Sequence, residues 1–232
     1  MPDGNVQGVD VAKTVDAPVP DTTSLRTLAA AAADCTACEL YRDASQVVFG
    51  AGPRSAQLIL VGEQPGDVED KEGEPFVGPA GRILDRALAS AGVDRSAVYL
   101  TNAVKHFRWT PAERGKRRLH KTPAMQHVRA CHPWLAAELA AVRPRVVVAM
   151  GATACGALFE PGFKLTAHRG ERLDWPREAG PFAGDRHRIT AAFATIHPSA
   201  VLRGDPDRRD ELLAGLAADL AAAAAVAAET AS

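Results

Sequence analysis

Four short apolar runs, each cut off by a polar or glycine-bearing turn, constrain this chain more than any other feature: QLILVG (57–62), AVYLTN (97–102), RVVVAMG (145–151) and ITAAFATIHP (189–198). Runs that are apolar without alternation belong to strands buried on both faces, the environment of a parallel sheet. Helical patterns lie between them, over 78–92, 122–142 and 152–159, while SLRTLAAAAADC precedes the first run and DRRDELLAGLAADL follows the last. Strand and helix in alternation predict an α/β sheet covered on both faces. With 232 residues, 47% of them hydrophobic, one compact core is expected.

The ends of the chain read differently. Residues 1–24 mix Pro, Gly, Asp and Thr without apolar periodicity and are expected to form a flexible tail, leaving 25–220 as a single domain and 221–232 as an Ala-rich tail that prolongs the last helix. No secretion-type apolar run and no bilayer-length apolar segment stands out, so a cytoplasmic protein without membrane contact is expected. The absence of an assembly motif predicts a monomer.

In open α/β sheets, ligands bind beyond the carboxyl ends of the strands. That rule selects GEQPG (62–66), NAVKH (102–106), GATA (151–154) and HPSA (197–200). In Gly62-Glu63-Gln64-Pro65-Gly66-Asp67, two glycines and a proline fix a tight turn whose amides can approach a phosphate or a planar base. Phe76, in a Pro/Gly-rich loop before a helix, either closes a core or offers a flat face to a nucleobase. Asn102 either caps a turn or presents donor and acceptor to the O4 and N3–H edge of a pyrimidine such as uracil. His197 is either a structural histidine before proline or a group that stabilises an anion on a leaving base.

Cys35-Thr36-Ala37-Cys38 has the spacing of a ligand pair, and Cys131 is the natural third ligand. In a reducing compartment metal binding or catalysis is a better reading of such cysteines than disulfides. Spacing alone does not choose between Cys155, which falls in a helical pattern that suits a buried apolar thiol, and a histidine for the fourth place.

The formal net charge is only −1, yet between 105 and 129 Lys105, Arg108, Arg114, Lys116, Arg117, Arg118, Lys121 and Arg129 face a single acid, Glu113. Such a stretch is either a solvated loop or the footprint of a phosphate backbone. Its centre, GKRRLH (115–120), ends on His120, which phosphate binding does not require.

Taken in order, CTAC, GEQPGDVED, EPFVGPAGRILD, TNAVKH and IHPSAVLRG resemble the iron–sulfur uracil-DNA glycosylases, over about residues 25 to 220. GEQPG in place of the commoner GEAPG, with the inserted KRRLHKTP, resembles the UdgX branch, known for becoming covalently attached to the DNA it attacks. The resemblance implies a three-layer α/β/α fold around a central, mainly parallel four-stranded sheet. It implies that Phe76 stacks on an extruded uracil, Asn102 reads its pairing edge, and Gly62, Gln64, Pro65, Gly66 and Asp67 cradle the base and nearby backbone. His197 supports the leaving base at O2, and in Ser199-Ala200-Val201-Leu202-Arg203 the plug is Leu202 and Arg203 contacts phosphate.

One departure from the family pattern matters. Where its members have cysteine in a segment like NVVKC, this chain has Asn102-Ala103-Val104-Lys105-His106, so the resemblance makes His106 the fourth ligand of a [4Fe-4S] cluster with Cys35, Cys38 and Cys131. A Cys₃His set also suits zinc.

The expected reaction excises uracil from DNA, with single-stranded and also double-stranded DNA as partners and free uracil as a product. His120, on a mobile basic loop, is expected to attack C1′ with Glu63 orienting it, while Lys116, Arg117 and Arg118 grip phosphate and favour the neutral imidazole. The alternatives are a conventional multiple-turnover glycosylase that uses water and a non-catalytic iron–sulfur DNA-binding module. A redox enzyme ranks last, because no nucleotide-cofactor fingerprint is present.

Overall fold

The structure, a computed structural model, describes residues 17–112, 118–159, 162–175, 182 and 188–229. Among the described residues six strands form: β1 (Leu58–Gly62), β2 (Tyr99–Asn102), β3 (Trp109–Pro111), β4 (Arg118–His120), β5 (Val146–Met150) and β6 (Ala191–Thr195). Four of them make the central sheet in the order β2-β1-β5-β6, and every neighbouring pair is parallel. The register sets Gly62 opposite Asn102, so the turns after β1 and β2 leave the sheet side by side.

The helices are α1 (Leu25–Ala32), α2 (Asp67–Glu72), α3 (Pro79–Ser90), α4 (Met125–Val142), α5 (Ala152–Leu158), α6 (Leu165–His168), α7 (Pro198–Arg203) and α8 (Arg209–Ala228). Successive strand residues point to opposite faces. Ile59, Val61, Val147 and Ala149 join Leu28 of α1, Leu135 and Leu139 of α4 and Leu158 of α5 in one core. Leu58, Leu60, Val146 and Val148 join Leu84 and Leu88 of α3 and Leu216 and Leu220 of α8 in the other. The sheet is thus buried on both sides, the physical reason its strands are apolar throughout; each fully buried Leu, Ile or Val contributes about 1.5–3 kcal/mol. The three-layer α/β/α fold expected above is what forms.

Three local expectations change. Within the expected N-terminal tail, residues 1–16 lie outside the described residues, but Ala17 is buried and Ser24 caps α1 by accepting from the Thr27 amide. The expected C-terminal tail is helix as far as Ala228, with Ala223, Val226 and Ala227 buried. Residues Pro206–Ala228 hold an 18-residue stretch with a mean hydropathy of 1.7, enough by length and composition alone to cross a bilayer. Their Leu216, Leu220 and Ala223 row instead packs on the sheet as part of the second core.

The third change concerns the basic stretch. Arg118, Leu119 and His120 do not sit on a free loop: they form β4, paired antiparallel with β3 so that Trp109 faces His120 and Thr110 faces Leu119. Glu113, Arg114, Lys116 and Arg117, between β3 and β4 in the sequence, lie outside the described residues.

Candidate active site

A cleft of ≈ 350 Å³ opens at the carboxyl ends of β1 and β2, with Gln64, Phe76, Asn102, His120 and His197 among its walls. At its floor, Gly62 leaves room that a side chain would fill: a Cβ there would press on Asn102 Oδ1 and lie 2.6 Å from the Phe76 ring and 3.5 Å from His197 Nε2. Three groups from three segments therefore converge on one point. Gly62→Ala is expected to leave a folded protein whose activity at this cleft falls at least about tenfold, since overpacking a filled site costs roughly 1–3 kcal/mol. Single-turnover release kinetics, with circular dichroism as the folding control, check this.

Asn102 is 3% exposed, and its Oδ1 has no hydrogen-bond partner among the described residues. An orphaned buried acceptor costs about 1–3 kcal/mol, which a ligand N–H at this point would recover. Phe76 lies across from it in the left-handed region, with φ of 58°. Two features hold the strained residue: Arg95 Nη2 donates to the Phe76 carbonyl at 3.2 Å, and Gly81, in the first turn of α3, leaves the space that this carbonyl occupies. Its ring centroid is 6.2 Å from that of His197.

His197 caps α7. Its Nδ1 accepts from the Ser199 amide at 3.2 Å and contacts the Ser199 hydroxyl at 2.8 Å. Burial lowers its pKa to about 4, against the pull of Glu63. The ring is therefore neutral near pH 7, and with Nδ1 accepting it carries its proton on Nε2. Ser199, expected to touch DNA, fixes this tautomer.

Glu63 and His120 meet at the side of the cleft, with His120 Nε2 3.2 Å from Glu63 Oε1. Thr153 donates its hydroxyl proton to the other oxygen, Oε2. Burial acts to raise the pKa of the Glu63 carboxyl, but the hydrogen bonds from His120 and Thr153 outweigh it and hold the group below its ordinary range.

The hairpin that presents His120 is clamped. Gln64, expected to cradle the base, spends its amide on the hairpin's base instead: Nε2 donates to the carbonyls of Arg108 at 3.1 Å and Lys121 at 3.2 Å, and Oε1 accepts from the Arg108 amide at 3.0 Å. Arg118, expected to hold phosphate, is paired with Asp67 at 2.5 Å and Asp70 at 2.6 Å on α2. Its guanidinium also lies over the Phe107 and Trp109 rings, 5.3 and 5.5 Å from their centroids. Asp67, expected at the base, is a partner of this clamp and of Lys71. Pro65 is buried in the turn, and Gly66 caps α2 with its amide 3.2 Å from Glu69 Oε2.

Lys105, counted above with the basic face, is also redirected. It is 1% exposed, paired with Glu138 at 2.5 Å and donating to the Asn102 carbonyl at 2.8 Å. Leu202 is exposed and lines the cleft together with Arg203. Val68 and Leu119 are exposed on the same cleft, two apolar side chains the sequence reading did not single out. Lys116 and Arg117 lie outside the described residues.

Behind the β2 turn, Cys35, Cys38, His106 and Cys131 are all buried, and the cysteines are free thiols. Cys38 touches both Cys131 and His106. The hydrogen bond from Cys131 lowers the Cys38 thiol to about 5, with help from His106 against burial, while the same bond and burial push Cys131 up. Trp134 Nε1 donates to Cys35 Sγ at 3.2 Å. Soft donors, burial and a favoured thiolate fit a metal group. Among the described residues no three His, Cys, Asp or Glu side chains converge as a site for a metal ion. Cys155 sits apart in role, buried in α5 with its thiol pushed up to about 12 by burial.

Residues 49–221 match the model of the uracil DNA glycosylase superfamily. The chain belongs to that superfamily. Among superfamily relatives, it is 37% identical to a type-4 uracil-DNA glycosylase of Thermotoga maritima over 180 residues, covering 77% of this chain and 81% of that one. It is 35% identical to one of Pyrobaculum aerophilum, covering 79% and 87%, and 36% identical to one of Archaeoglobus fulgidus, covering 76% and 82%. As a member of the uracil DNA glycosylase superfamily, the chain has its cleft, the Asn102 acceptor and the His197 donor within the matched span.

Proposed function

We propose that this protein excises uracil from DNA and then holds the abasic product through a covalent bond to His120. The observation that carries the proposal is the Glu63–His120 pair: an imidazole on a clamped hairpin, 3.2 Å from a carboxylate, at the wall of the cleft that Phe76, Asn102 and His197 also line.

Extruding a uracil from a duplex costs on the order of a few kcal/mol. The apolar rim of Val68, Leu119 and Leu202 is placed to fill the vacated stack, with Arg203 on the phosphate. In the cleft the base lies against Phe76, its N3–H donated to Asn102 Oδ1 and its O4 accepting from the Asn102 amide. The C1′–N1 bond breaks with its electron pair leaving on uracil, and the neutral His197 donates from Nε2 to O2, where that charge gathers. A donor aimed in this way contributes roughly a factor of 10²–10³.

The sugar cation that remains is met by the His120 nitrogen that does not face Glu63. Its lone pair forms the N–C1′ bond, and Glu63 takes up the charge of the resulting imidazolium through the nitrogen it already holds. Arg118 does not tune this imidazole as a free cation, because two aspartates neutralise it.

For the second half of the proposal, Cys35, Cys38, His106 and Cys131 hold a [4Fe-4S] cluster, a structural group of the kind that pins loops against a core. The donor set and the Trp134 N–H on Cys35 support this reading, and zinc is the competitor. The purified protein is expected to be brown and to contain iron; a colourless, iron-free, zinc-containing sample overturns the cluster.

A denaturing gel after incubation with uracil-containing single-stranded DNA separates the functions. A shifted band that resists heat and detergent is expected. Uracil release without such a band assigns the protein to conventional multiple-turnover glycosylases, and neither product leaves a DNA-binding module.

A further inference from the structure

The GATA turn after β5 is the strand-end segment that the proposed reaction has not used. Gly151 there has φ of +93°, and a Cβ at this position would lie 3.1 Å from His197 Cβ. The turn is thus pressed against one reacting group. Two residues on, the Thr153 hydroxyl donates to Glu63 Oε2, leaving Oε1 for His120 Nε2 at 3.2 Å. Gly151, Thr153, Glu63, His120, Thr122 and His197 wall a second cavity of ≈ 360 Å³ that borders the pair.

A carboxylate held at one oxygen can rotate about its terminal torsion, whose preference is broad. Held at both, it has one orientation. We propose that Thr153 is a positioning residue for the covalent step: its hydroxyl fixes one Glu63 oxygen so that the other holds the His120 imidazole with its free lone pair toward C1′. The inference rests on the covalent reading above and extends it to a residue that touches neither base nor sugar.

The test uses the intact protein and a uracil-containing single-stranded oligonucleotide in single-turnover reactions, with adduct followed on denaturing gels across about pH 3 to 8, a range that brackets the ordinary glutamate pKa of about 4.3. Thr153→Val keeps the shape and removes the hydroxyl; Thr153→Ser keeps the hydroxyl. Hydrogen bonds to charged groups are worth about a factor of ten or more, so Thr153→Val is expected to slow adduct formation at least tenfold. Among the described residues the charged or titratable groups facing Glu63 are His120 and His197, with Arg203 on the same cavity wall, and all three stay in place. Loss of the Thr153 bond lets the Glu63 carboxyl rise, so the acid limb of the rate profile moves to higher pH. Thr153→Ser is expected to restore both rate and limb. Thr153→Ala, which also lacks the hydroxyl, repeats the test if the valine variant does not fold.

Wild-type rate and pH profile in the variants without the hydroxyl overturn the role of Thr153 and leave the covalent reading standing, as does a serine variant as slow as the valine one. Absence of adduct from the wild type itself overturns the covalent reading, and the role of Thr153 with it.

Discussion

Replacing His120 by alanine is expected to give a protein that frees uracil and no longer stays on the DNA. The groups that break the glycosidic bond are elsewhere: Phe76, Asn102 and His197 converge beyond Gly62, and none depends on the His120 ring. What the substitution removes is the imidazole 3.2 Å from Glu63, the nucleophile of the proposed reaction. The sugar cation is then met by water, admitted where the imidazole stood and oriented by the same carboxylate. Adduct should fall to background, while uracil release stays within about tenfold of the wild-type single turnover, and now repeats. Because β4 keeps its ladder and Arg118 its aspartates, the thermal midpoint should hardly move. A gel and a uracil-release assay on the same samples read both effects.

The largest expected loss of stability comes from Glu138→Ala. Glu138 is fully buried and accepts from Lys105, Thr101, Tyr99 and the Gly50 amide, with the lysine at 2.5 Å. Its removal strands a buried ammonium, and breaking such a pair costs about 3–5 kcal/mol, against a typical total of about 5–15 kcal/mol for a whole domain. The loss reaches the cleft, because Lys105 Nζ also holds the Asn102 carbonyl at 2.8 Å. Denaturant titration should show the drop, with excision slowed in the fraction that stays folded. Pairing the change with Lys105→Met, which removes the stranded charge, should return part of the stability; a double variant no better than the single one would contradict the charge argument.

The sheet was legible because its cause is local. A strand buried on both faces must be apolar along its length, and all four apolar runs contain a strand of the sheet. The strand-end rule then found Glu63, Asn102 and His197, since a parallel sheet puts its turns at one edge. Partnership across the chain was not legible. Arg118 reads as a free cation until folding sets it beside Asp67 and Asp70, 51 and 48 residues away. Gln64 reads as a base contact until its amide is seen closing the hairpin 44 and 57 residues on. Lys105 sits in a basic stretch, and only the packing of α4 on the sheet brings Glu138 to it. In each case a residue type suited to polyanion or base contact is satisfied internally, and the basic face is smaller than the count of charges suggests. The hairpin was missed because its strands are three residues each and amphipathic runs that short carry no periodicity.

These partnerships change what His120 is. On the covalent reading, an imidazole on a mobile loop would find C1′ by search; on a ladder closed by Gln64 and bolted to α2 by Arg118, it is held in place beside Glu63. Preorganisation of this kind is one source of the advantage that the proposed attack has over water.

Peptide mapping of the wild-type adduct by tandem mass spectrometry tests the covalent reading most directly. After digestion of protein and DNA, the sugar remnant is expected on the peptide containing His120, attached at the imidazole. A remnant on Lys121 or another lysine, or a wild-type protein that releases uracil and carries no remnant, would contradict it.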